Sequence, residues 1–258
     1  ETKTQMRNNK MNRLEKMMKV VFTTLIICLF AISGFAQETK DFDPTISNLG
    51  SGAQGFVFKN SEKITINDES TASSYPSEIN VQGINPANTI FVIVTLDGFS
   101  HTFPDDVDIV LVSPTGASSV IMSDAGGSSD VNDLTLRFQN LVTEIPDSGP
   151  LTSGIYGAAN HGSQSENYPA PGPGNISSAD LSVFNNINPN GVWKLFVLDD
   201  GSGDVGEITR GWSLTVFVDK VTATVTKTAD TFDGNCNSDC SLREALASSI
   251  ANNIEFSS

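Results

Sequence analysis

Apolar and polar positions alternate in short runs along most of this chain, and turn residues separate the runs. The clearest pattern lies in residues 188–218 (NPNGVWKLFVLDDGSGDVGEITRGWSLTVFV). Trp193, Leu195 and Val197 share one parity, and Trp212, Leu214, Val216 and Val218 share another, with Ser213 and Thr215 between them. A period of two means strands with one face buried. The stretch predicts a β-ribbon with an Asp/Gly loop between its strands. Trp193 and Trp212, the only tryptophans, point into a core.

Shorter runs precede it. Phe56 and Phe58, Ile64 and Ile66, and Ile79 and Val81 each alternate. Residues 89–96 (TIFVIVTL) are apolar on both faces, as a central buried strand should be. Residues 105–113 (DDVDIVLVS) place Val107, Ile109 and Leu111 inward and Asp106 and Asp108 opposite. Residues 119–123 and the alternating Leu134, Leu136 and Phe138 follow, with a loop over 124–133. Residues 146–179, rich in Pro, Gly, Asn and Ser, read as mostly loop. Many short strands without a helical period predict an all-β, antiparallel sandwich, and its long mixed connections favour a jelly roll.

The ends differ. Residues 11–19 are net basic, 20–32 (VVFTTLIICLFAI) form an uncharged apolar run, and Gly34 and Ala36 supply a small-x-small exit. Together they describe a signal peptide helix cut between Ala36 and Gln37. The apolar body falls short of the roughly 20 residues of a spanning helix. Bulky Ile27 before Cys28 argues against lipid attachment there. After Val218, residues 221–225 alternate, and Ser241 with Glu244 has the spacing of a capping box for a helix over 241–252. Ile254 to Phe256 starts a strand. This tail is too small for a core of its own, so it is expected to continue. The expected organisation is an N-terminal extension and signal peptide (1–36), a linker (37–54), a β-sandwich (55–219) and a short strand-helix segment (220–258).

Export makes a small-loop disulfide the favoured reading of Cys236 and Cys240, since two cysteines without a neighbouring histidine do not complete a zinc site. The chain has a net charge of −15, and its first 36 residues hold six of the 15 basic and two of the 30 acidic residues. The remainder therefore carries a net −19, which argues against nucleic acid or an anionic membrane as partner. Acidic loops suit a hard cation. The calcium candidates are Asp106, Asp108, Asp124, Asp130, Asp133, Asp199, Asp200 and Asp204, with Asp124 and Asp130 bracketing the tightest loop, although none has EF-hand spacing. Asp, Asn and Gly also simply make turns.

Catalytic signatures are weak. No nucleophilic serine motif of the subtilase kind occurs, and there are two histidines. His101 is placed to face Asp105, Asp106 or Asp108, and His161 lies in the Gly/Asn loop. The pairs Asp105/Asp106 and Asp199/Asp200 lack the aromatic run that stacks a sugar in a glycosidase.

Two stretches resemble known families. Leu111, Ser113, Pro114 and Gly116, then Asn188, Pro189, Gly191, Trp193, Leu195 and Val197, then Asp204 and Gly206, then Trp212 and Leu214 follow in order the motifs of the P domain. That β-sandwich follows the catalytic domain in kexin- and furin-like subtilases. The resemblance implies a jelly roll of the galactose-binding-like class that steadies a neighbouring domain. Residues 240–245 (CSLREA) resemble the motif of that name, which implies a parallel β-helix beyond it in large bacterial surface or secreted proteins.

The sequence thus points to a secreted or cell-surface module that is structural or adhesive and has no catalytic residues. Its expected partners are a downstream domain of the same protein and a host or surface protein or glycan. The rival readings are the accessory domain of a serine endopeptidase and a carbohydrate-binding module, the latter requiring Tyr75, Tyr156 and Tyr168 to cluster in loops.

Overall fold

The computed structural model describes residues 53–86, 89–162, 165–219, 222–229, 235–236, 238, 240–247 and 253–256. The signal peptide with its Ala36/Gln37 junction, Cys28, and the end of the C-terminal helix lie outside the described residues.

Two sheets face each other, as the alternation predicts. The first contains β1 (Ala53–Asn60), β2 (Ile64–Ile66), β4 (Thr89–His101), β7 (Val131–Phe138), β8 (Gly154–Tyr156), β13 (Gly206–Ile208) and β14 (Trp212–Asp219). The second runs β3 (Ser77–Val81), β12 (Gly191–Asp199), β5 (Val107–Val112), β6 (Ser118–Ser123) and β9 (Ala159–Asn160). Most ladders are antiparallel, but β6 pairs β9 and β7 pairs β8 in parallel, so each sheet is mixed. The long strand β4 is central, flanked by β14 on one edge and β7 on the other. The first strand begins at Ala53, inside the stretch read as linker.

The two tryptophan strands do not form a ribbon. β12 pairs with β3 and β5, whereas β14 pairs with β1 and β4. Between them the Asp/Gly loop contains β13, which pairs with β2 and β4 and carries the chain from one sheet to the other. Alternation fixes which face of a strand is buried, and two facing sheets satisfy it as well as one ribbon. Trp193 and Trp212 are both fully buried, in one core with Val94, Leu96, Ile109 and Leu111. Each indole N–H has a partner: Trp193 Nε1 donates to Pro189 O at 2.8 Å, and Trp212 Nε1 to Ser77 Oγ at 3.0 Å. Buried aromatic area therefore leaves no indole N–H without a partner.

The outer face of the second sheet is covered as well. The Asp108 and Val110 face of β5 is buried rather than open. Residues 146–179 contain strands β8 and β9 and a hairpin of β10 (Glu166–Tyr168) and β11 (Gly174–Ile176) where loop was expected. Tyr168 from this hairpin joins Val110, Val120, Phe196 and Leu198 in a second apolar cluster, with Tyr75 edge-on to Phe196 at 5.0 Å.

Beyond Asp219, β15 (Thr222–Val225) pairs in parallel with β16 (Asn253–Phe256), and α1 (Leu242–Ala247) lies between them in sequence. The capping box is formed: Ser241 N donates to Glu244 Oε2 at 2.7 Å, and Glu244 N to Ser241 Oγ at 3.3 Å. Cys236 and Cys240 are joined by a disulfide across a Cα separation of 4.6 Å.

Candidate metal centre

Strand register gathers the acidic residues at one end of the sandwich. Val107 of β5 lies opposite Asp199 of β12, and Ile109 opposite Met122 of β6. The start of β5 therefore meets the ends of β6 and β12, bringing residues 105–108, 124 and 199–204 together.

Two acid groups result. In the first, carboxylate oxygens of Asp108, Asp124 and Glu166 all lie within 4.8 Å of one another. Asp108 and Glu166 are buried and Asp124 is half-buried. Ser123 Oγ donates to Asp124 Oδ2 at 3.1 Å, and Gly162 N donates to the same oxygen at 3.2 Å. A side chain at Gly162 would meet the Asp124 carboxylate in its present position. Burial, followed by the charges of Glu166, Asp200 and Asp124, pushes the Asp108 carboxyl up to about 8 against a hydrogen bond from Ser123. The Tyr168 hydroxyl is buried without a hydrogen-bond partner. Burial raises it well above the ordinary phenol range, and the charges of Asp108, Glu166 and Asp124 push the same way.

The second group surrounds His101. Its partner is Asp199, not Asp105, Asp106 or Asp108: Nε2 lies 3.1 Å from Asp199 Oδ2, with both side chains sealed from solvent. The angles fall short of a hydrogen bond. Nδ1 lies 2.8 Å from Phe103 O. Phe103 N donates to the same Nδ1 at 3.2 Å. Burial raises the Asp199 carboxyl, and His101 opposes that shift. Asp106 is pushed up to about 6 by burial, then by Asp199, Asp204 and Asp200. Gly206, the glycine of the Asp204–Gly206 motif, lies against the His101 ring, where a side chain would collide with it and with Ser100 O. Asp200 N donates to Asp106 O at 3.0 Å, and the Asp200 carboxyl is raised by burial and by Asp124, Glu166 and Asp199. Asp200 thus links the two groups electrostatically.

The remaining candidates lie apart. Asp133 accepts from Arg210 Nη1, whose Nε donates to Asp97 at 2.8 Å, so Asp133 serves a surface ion pair. Asp130 is exposed, immediately before β7. The loop thought to be bracketed by Asp124 and Asp130 contributes only Asp124 to the three-carboxylate group. Glu166, Tyr168 and the pairing of His101 with Asp199 have no signature in the sequence. Glu166 and Tyr168 sit in a three-residue strand too short to show a period, and Asp199 meets His101 only through the crossing of two sheets.

No family model matches the chain, and no curated protein matches it. Among solved structures it is similar to a chain of the complex of Aeromonas sobria serine protease with the chaperone, at 17% identity and TM-score 0.33, over 66% of this chain and 26% of that one. It is also similar to the serine protease of Aeromonas sobria at 15% identity and TM-score 0.30, over 64% of this chain and 26% of that one. The chain spans about a quarter of the length of each.

Proposed function

We propose that this chain supplies a non-catalytic β-sandwich module, structural or adhesive, to an exported protein. The observation that carries this reading is that the motif residues and both histidines are occupied in holding the sandwich together. Pro189 O accepts from the Trp193 indole N–H, and Asn188 Oδ1 accepts from Asn190 N. Ser113 and Gly116 close the β5–β6 turn, and Gly206 backs His101. His101 is buried against Asp199 and Phe103, and His161 Nε2 lies 2.8 Å from Ile145 O. Each ring therefore already has a contact within the sandwich.

The same motif order supports the finer reading of a P-domain-like module, including its rival form as the accessory domain of a serine endopeptidase whose catalytic residues belong to another segment. The parallel β15–β16 pair supports a parallel β-helix as the neighbouring domain. A glycan platform is not favoured, because Tyr168 is buried and Tyr75 packs on Phe196.

The test is incubation of the purified chain with a fluorogenic peptide library, with and without Ca2+. No turnover above buffer is expected. Turnover that His101→Ala abolishes would overturn the reading.

A further inference from the structure

We propose that Asp108, Asp124 and Glu166, with the Tyr168 hydroxyl and the Asn160 side-chain oxygen, form a Ca2+ site between the second sheet and the β10–β11 hairpin. This goes beyond the module reading and does not depend on it.

Three features combine. Three carboxylates converge within 4.8 Å, two of them buried. A Ca2+ ion held about 2.3–2.6 Å from each oxygen can be shared by three carboxylates gathered within that distance. The Tyr168 hydroxyl is fully buried, has no hydrogen-bond partner, and is acted on first by the charges of Asp108 and Glu166, then by Tyr75 and Asp124. An unsatisfied buried hydroxyl is costly, and a cation beside it would supply the missing partner. Asn160 lies opposite Ser123 in the parallel β6–β9 ladder, so its side chain shares the face of Ser123, whose hydroxyl donates to Asp124. Its Oδ1 and Nδ2 are both buried without a partner. All the donors are hard oxygens, which selects Ca2+ over zinc or copper.

Carboxylates crowded this closely repel one another unless a proton or a cation sits among them. The competing account is therefore shared protons and no ion, and the two accounts predict different outcomes. The full chain is stripped with EDTA and titrated with Ca2+ by calorimetry and by thermal melting. The proposal expects one saturable site and a melting temperature that rises with Ca2+. Asp124→Asn should weaken affinity about tenfold or more, since charge count sets affinity. Asp108→Asn should melt no lower than wild type in EDTA, because it removes repulsion, yet should lose the Ca2+ response. Should Asp108→Asn fail to fold, Tb3+ in place of Ca2+ provides an independent readout. Its luminescence, sensitised by Tyr168, should collapse in Tyr168→Phe and persist in Asp130→Asn. Absence of both heat and melting shift in the wild type would overturn the site. So would a Ca2+ response or Tb3+ emission that survives Asp124→Asn and Tyr168→Phe unchanged.

Discussion

At the scale of the residue, this protein places acids where burial works against their charge. Asp108 shows the consequence most sharply. Its carboxyl is raised from an ordinary 3.8 to about 8, and the groups facing it are Glu166, Asp200, Asp124 and Tyr168. Between about pH 4 and 8 the folded chain therefore holds a proton that the unfolded chain has released. Stability must then fall as pH rises through that window. Asp106, Asp199 and Asp200 shift in the same direction and add to the slope. In EDTA, the melting temperature is expected to drop from pH 4 towards pH 8, and the slope to flatten in Asp108→Asn. A flat wild-type profile would show that these carboxyls are ionised at little cost. Asp108 and Asp124 were legible in the sequence as members of the acidic group because aspartates near strand ends and turns stand out. Glu166 was not, because it is a lone acid in a stretch whose Gly, Pro and Ser read as loop.

At the scale of the element, short polar side chains join segments distant in sequence. Asn188 Oδ1 accepts from Asn190 N at 3.1 Å and so fixes the turn ahead of β12. Asn190 then accepts from Ile84 N at 3.0 Å and donates to Ile84 O at 2.7 Å. Its side chain imitates a strand partner for a segment 106 residues away in sequence. Asn190→Ala would leave both backbone groups of Ile84 without that partner. A loss of about 1–3 kcal/mol is expected from urea denaturation, in proportion to the unmade hydrogen bonds. A loss within error would mean that water replaces the asparagine there. Strand positions were readable from alternation, since the buried face repeats every two residues. Sheet membership was not readable, because the alternation of Trp193 and Trp212 is the same whether their strands pair or face each other. The hairpin over the second sheet was hidden for a related reason: three-residue strands are shorter than the pattern needed to detect them.

At the scale of the whole molecule, one closed two-layer sandwich explains the rest. The second sheet is buried on both faces at Asp108 and Val110, which places carboxylates beneath the β10–β11 hairpin and gives the acidic end its character. The core is filled from both sides by indoles, Trp193 from β12 and Trp212 from β14, and Phe184 meets Trp193 edge-on at 5.2 Å. No other tryptophan is present in the chain, so its fluorescence reports on these two positions alone. Acrylamide quenching of tryptophan emission is the most direct measurement of the claim that both indoles sit inside a single closed sandwich. The account predicts blue-shifted emission that acrylamide barely quenches in the native chain, in each of Trp193→Phe and Trp212→Phe as in wild type, until both properties change together on unfolding. Native emission quenched as readily as that of the urea-unfolded chain would contradict it.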